Sequence, residues 1–180
     1  MMRALLQLSK AIDTLSARAG MLAVWLVLAA CVISAGNALM RYGFDLSSNA
    51  WLEIQWYLFG GMVMLGAAWT LKLNEHVRVD VLYSRYSERT RLWVDLLGAI
   101  FFLLPMTVMI GWLSWPLFIN SFTTGEVSGN AGGLIRWPVK ALIPLGFLLL
   151  TLQAVSEIIK RIANLTGHLK LDSHYARPLQ

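Results

Sequence analysis

Seven ionisable residues stand where an apolar chain could put them to chemical use: Glu53, His76, Arg78, Asp80, Asp95, Lys140 and Glu157. A carboxylate deep in a lipid-bounded helix can relay protons or hold a cation, and a helix-borne histidine can ligate haem iron, because a charge is too costly in hydrocarbon to stand idle. The spacing here points away from both. Glu53 follows Trp51 by two residues and Lys140 follows Trp137 by three, which puts each charge just inside an aromatic boundary. Lys72, Asp95 and Glu157 flank the opposite ends of apolar runs, and His76, His168 and His174 lie outside the runs altogether. The centres of the runs, around Ala30, Met62, Thr107 and Leu149, hold no Asp, Glu, Lys, Arg or His. Cys31 is the only cysteine, so an intrachain disulfide or a cysteine-based metal site is excluded. Nothing pairs a nucleophile with a base, cradles phosphate or spaces metal ligands, so the chain does not look like an enzyme and calls for no cofactor.

The elements that place these residues are set by composition. Hydrophobic residues make up 57% of the chain and charged ones 14%, outside the usual soluble range, which predicts an all-α integral membrane protein with membrane lipids around it. The net charge of +5 falls in clusters between apolar runs and forms no single basic face, so nucleic acid is not expected as a partner. Four transmembrane helices are predicted, over about 19–40, 51–71, 93–119 and 137–159, in one domain covering residues 1–180. Leu5, Leu8, Ile12 and Leu15 recur at helical spacing among Arg3, Lys10 and Asp13, predicting an amphipathic interfacial helix over 2–17 with its apolar stripe in the head-group region. The stretch from Lys160 to Gln180 reads as a polar, basic tail.

Leu28-Ala29-Ala30-Cys31 matches a lipoprotein cleavage box, but the chain stays apolar to Met40, which argues for a span and against processing. Ala30, Ser34 and Ala38 form one small-residue stripe, and Gly60, Gly61, Gly66, Ala67 and Ala68 another, each suited to close helix contact. Trp51, Trp56, Tyr57 and Trp69 mark the two membrane boundaries of the second span. Pro105 and Pro116 offer kinks to absorb the excess length of the third. Residues 121–135, rich in Gly, Ser, Thr and Asn, form an outside loop whose plainest role is a connector. Twelve Lys and Arg fall in the N-terminal arm, the 72–91 loop and the tail, against three in the other loops, so both termini are expected in the cytoplasm.

Two readings fit the rim charges: separate snorkelling anchors, or ion pairs that register helices or bind a partner. The second predicts that Glu53 and Lys140, at similar depth, help join the second and fourth spans or this chain to its partner. In the stretch His76-Val77-Arg78-Val79-Asp80-Val81, an extended backbone would separate His76, Arg78 and Asp80 from the valines, whereas a helix would break that pattern up. Either form predicts an interfacial segment, with Arg78 toward lipid phosphate or pairing with Asp80.

The stretches GAAWTLKLNEHVRVDVLY (66–83), SNAWLEIQWYLFG (48–60) and GEVSGNAGGLIRWPVKALIPLGFLLLTLQAVSEIIKR (125–161) resemble the small membrane subunit of tripartite ATP-independent periplasmic (TRAP) transporters, the DctQ-like subunit. The AWLE, GEVS and RWPVK pieces are similar to a mannitol or chloroaromatic branch of that family. The resemblance implies a sodium-driven importer of organic acids or related solutes in the bacterial inner membrane. Its partners would be a periplasmic substrate-binding protein and a large multispan transport subunit on a separate chain, which the small subunit scaffolds. Two alternatives stand beside it. A membrane anchor for a redox complex would show helix-borne histidines, and a self-assembling four-span exporter would need a carboxylate deeper than Glu53.

Overall fold

The computed structural model describes residues 2–46, 48–76, 83 and 85–169. The expectations for Arg78, Asp80 and the valines between them, and for the tail from Lys170, lie outside the described residues. Five α-helices follow in order among the described residues: α1 (Met2–Phe44), α2 (Asn49–Leu73), α3 (Glu88–Gly98), α4 (Leu104–Thr123) and α5 (Trp137–Leu165), with a π-helical turn, Ala99–Leu103, joining α3 to α4. Counted with that turn, α3 and α4 make one rod, so four helices are long and apolar enough to cross a membrane. The fold is all-helical, and its only departure among the described residues is an isolated bridge between Val127 and Ile135.

Local chemistry sets the helix ends. Ser48 caps α2 by accepting the Ala50 N–H at 3.3 Å, and Ser87 caps α3 by accepting that of Thr90 at 3.3 Å. Asn74 ends α2 in the left-handed region, at φ 63°, with its N–H turned back to the last turn of carbonyls. The π turn lies where the sequence places Pro105, which lacks an N–H and whose ring would crowd the Phe101 carbonyl. Leu104, the residue before it, bonds instead to the carbonyl of Ala99, five residues back. Pro116 and Pro144 lie inside continuous α4 and α5.

α5 is the centre of the bundle: it packs against α1, α2 and α4, and α1 also packs along α2. The interior mixes polar side chains with alanine and a few larger apolar ones, and the exterior is largely apolar. The largest fully buried side chains are Gln153, Thr107, Ser9, Ser16, Ser121 and Ser156, whereas Trp112 and Phe102 are 79% and 77% exposed. Lipid tails solvate leucine and tryptophan as well as protein does, so nothing drives them inward, while a hydroxyl or amide in the same place would lack a partner.

The N-terminal arm and the first span, read from the sequence as two elements, are continuous. Met2–Phe44 is one helix of 43 residues with no break near Ala17, since Ser16-Ala17-Arg18-Ala19 contains no helix breaker. In its first turns Ser9, Ile12 and Ser16 are buried against the bundle, and Leu8 and Leu15 face out. The Ala30, Ser34, Ala38 stripe is likewise unused within the chain, with Ser34 and Ala38 exposed.

Close contacts fall at other small residues. Gly61 sits between Leu26 of α1 and Leu142 of α5, and Gly60 faces Val139 of α5. A Cβ on Gly146 would lie 2.9 Å from the Met64 carbonyl oxygen, so α5 and α2 touch there backbone to backbone. Gly146→Ala is therefore expected to destabilise the protein by about 1–3 kcal/mol despite alanine's better helix propensity. Gly36→Ala, where a new Cβ meets nothing within 4 Å, should be neutral or stabilising. Thermal unfolding of both variants in detergent checks the contrast, and an unchanged midpoint for Gly146→Ala would count against the contact.

Candidate functional site

Polar chemistry is gathered at the two ends of the bundle. At one end the chain from Thr124 to Arg136 folds into a small hairpin over the start of α2. Gly125 and Gly132 take positive φ, 59° and 69°, which lets the backbone reverse twice. Ser128 N–H donates to the Leu134 carbonyl at 2.9 Å, and Arg136 N–H to that of Glu126 at 2.8 Å.

Glu53, only 9% exposed, reaches into this hairpin from the first turn of α2. Its carboxylate accepts hydrogen bonds from the Ser128 hydroxyl, from Asn130 Nδ2 at 2.6 Å and from the Leu134 N–H at 2.8 Å. Lys140 turns to Glu126 instead, which also meets Arg136 at 3.4 Å. The expected Glu53–Lys140 pair is therefore absent: each charge is taken up by the loop between α4 and α5. Three donors satisfy a carboxylate more fully than one ammonium, and they do so without a second buried charge. The loop is the element that ties α2 to α5 at this end, which is more than a connector does. The hydrogen bond from Lys140, reinforced by Arg136, holds the Glu126 carboxyl well below its ordinary value of 4.5, at about 2.

The other end carries a chain of ion pairs. Asp13 of α1 meets Lys160 at 3.2 Å, Lys160 meets Glu157 at 2.5 Å, Glu157 meets Arg161 at 2.5 Å, and Arg161 reaches Asp95 of α3 at 3.4 Å. Tyr83 donates its hydroxyl to Asp95 at 3.0 Å. A neutral seam continues from Asp13 between α1 and α5. Ser156 and Gln153 donate to Asp13 at 2.8 and 2.9 Å, Ser16 donates to Gln153 at 2.7 Å, and Ser9 lies 2.7 Å from the Ser156 hydroxyl.

The structure thus brings Asp95 and Glu157 together through Arg161. It leaves Trp56 facing outward, 73% exposed, and His76 exposed just past the end of α2. The residues that sequence reasoning missed are Asp13, Gln153, Lys160 and Arg161 at this end and Glu126, Ser128 and Asn130 at the other. Ser9, Asp13 and Ser16 recur at helical spacing, a signal masked by the leucines between them.

Two outcomes follow from this geometry. Glu53→Gln leaves one of its donors facing an amide NH2, so hydrogen exchange at the Leu134 amide should rise; the effects of Glu53→Gln and Lys140→Met on unfolding should add, since the two side chains do not touch. Coupling between them would mean that the two charges are linked, by contact or through the shared loop. The Glu126 clasp has a depressed pKa, so its stabilising effect is fully present above about pH 4.5 and fades as pH falls toward 2. Proteolytic nicking of the 124–136 loop, followed from pH 5 downward, should rise over that window and not above it.

Comparison with known proteins places this architecture. No solved structure matches the chain. It is 29% identical over 100 residues to a protein of Haemophilus influenzae named as a TRAP transporter small permease, a match over 54% of this chain and 61% of that protein. The chain therefore spans about three-fifths of the length of that relative. Residues 30–164 match the family model described as tripartite ATP-independent periplasmic transporters, DctQ component. That range takes in α2, α3 and α4 whole and α5 up to its last residue, with every member of both polar clusters that lies beyond the first turns of α1. The chain belongs to the DctQ component family of tripartite ATP-independent periplasmic transporters.

Proposed function

We propose that this chain is the non-catalytic small subunit of a sodium-driven TRAP-type importer in the bacterial inner membrane. It scaffolds a large transport subunit, a separate chain that carries the solute, and a periplasmic binding protein delivers an organic acid or related solute to the pair. The observation that carries this reading is the distribution of polar groups. Both polar clusters sit at the bundle ends and are spent on holding helices together, and the stretches between them hold no ionisable side chain at mid-depth. The apolar exterior supports the scaffold role, because exposed aromatic and leucine side chains on α4 and α1 are surfaces that a larger helical subunit can cover.

Orientation follows from charge. The end holding Asp13, Asp95, Glu157, Lys160 and Arg161 also holds the Lys- and Arg-rich segments, and translocating those segments is unfavourable, so that end faces the cytoplasm and the 124–136 hairpin faces the periplasm. The mannitol or chloroaromatic branch belongs to the same proposal and rests on the sequence resemblance alone.

Reconstitution into proteoliposomes tests it. With an inward sodium gradient, the chain alone should accumulate no solute, and uptake should need the large subunit and the binding protein together. Sodium-driven uptake by the isolated chain would overturn the scaffold reading.

A further inference from the structure

The first turns of α1 carry a surface that the bundle does not use. Leu8, Leu15 and Leu22 recur every seven residues and are 50%, 46% and 51% exposed. Ala4 and Ala11, also exposed, stand four residues before Leu8 and Leu15. Steps of four, three and four residues from Ala4 to Leu15 keep these side chains on one line, a short apolar stripe against which a second helix can lie. Arg3 and Lys10 run along one flank of this stripe and Arg18 closes its end, all exposed. Asp13 is the one acidic residue in this section, and it is turned to Lys160 on the inner side, so the outward face is uniformly positive.

Lipid head groups cannot cover this surface. The bonds from Asp13 and Ser16 to Lys160 and Gln153 hold α1 alongside α5, so α1 stands with the bundle and does not lie flat. Arg3 precedes Arg18 by 15 residues, which is about 22 Å along a helix axis, against a head-group layer of about 5–7 Å on each side of the hydrocarbon. The uncharged run begins at Ala19, so Arg18 reaches the phosphates and Lys10 and Arg3 stand beyond them. The stripe from Ala4 to Leu15 is thus outside the hydrocarbon, with leucines uncovered and cations along its edge. Its complement is an apolar stripe flanked by carboxylates.

We infer that Ala4, Leu8, Ala11 and Leu15, with Arg3, Lys10 and Arg18 beside them, form the docking surface for an acidic amphipathic helix of the large transport subunit, set beyond the membrane. This rests on the reading of the chain as a TRAP small subunit and names the surface that binds. The pairing is antiparallel or parallel without loss of the argument, since the cations recur at intervals of seven and eight residues.

The test uses the full chain co-expressed with its large subunit and carrying a photo-crosslinking amino acid at position 8 or 15. Both positions are expected to give an adduct with the large subunit. The adduct should fall about tenfold when Arg3→Glu and Lys10→Glu are combined, as two rim ion pairs would predict, and should persist with Arg3→Lys and Lys10→Arg. An intact complex whose adducts are with lipid alone, or whose yield ignores charge reversal, overturns the docking surface and leaves the scaffold reading standing. A wild-type chain that does not co-purify with the large subunit overturns the scaffold reading itself, and the docking surface with it.

Discussion

Much of this bundle depends on one constraint: a polar side chain buried between membrane helices is removed from bulk water, so leaving it without a partner in the protein is costly. Gln153 shows how far the constraint reaches. It is fully buried, accepts from Ser16, and donates to Asp13 and Glu157, at 2.7, 2.9 and 3.1 Å. With Ser9 on Ser156 and Asp13 on Lys160, these bonds set the register of α1 against α5. A slip of one turn, about 5.4 Å, would strand an amide and a carboxylate together. Leucine packing could not set register this way, because a leucine loses little by exchanging a protein neighbour for a lipid tail.

The same constraint decides what could be foreseen from the residues. The number of long apolar helices was legible, since length and the absence of charge are properties of the chain itself. The inward face of α1 was not. The stripe of Leu5, Leu8, Ile12 and Leu15 reads as one lipid-facing side, but the fold divides it: Ile12 is buried against the bundle while Leu8 and Leu15 face out. The deciding residues were Gln153, Ser156 and Lys160, about 140 positions along the chain, and only the fold brings them to Ser9, Asp13 and Ser16. Glu53 and Lys140 illustrate a second limit. Their placement beside tryptophans was readable, but their partners were not: the Glu53 donors are a serine, an asparagine and a backbone N–H in a loop 75–81 residues away.

The two bundle ends reach the same result by different means. Near the hairpin Glu53 is wrapped by neutral donors, and a short ion-paired clasp of Glu126 with Lys140 and Arg136 closes the loop beside it. Near the termini five charged side chains alternate in sign from Asp13 to Asp95, linking α1, α5 and α3 in one line. Breaking that line anywhere would leave a charge with less than its due, so the cost is shared across three helices and the end behaves as a unit.

Such a frame suits a part that must not move. Its helices are joined at both ends and pressed together at Gly61 and Gly146, where backbone and side chains leave no room for sliding. What the frame does not do is enclose itself. α4 is held from one side, by α5, and turns Trp112, Leu113 and Phe102 outward, while the first turns of α1 turn their leucines away from the bundle. In a membrane, apolar exposure of that kind carries no penalty within the hydrocarbon, and it becomes costly only where the helix leaves it. The exposed surfaces are therefore not equivalent. Those on α4 are compatible with lipid or protein, whereas the docking surface we propose at Leu8 and Leu15 would leave an apolar stripe in water if it stood past the hydrocarbon uncovered. That difference in depth, more than any difference in composition, singles out the N-terminal turns as the place where the bundle is incomplete by itself.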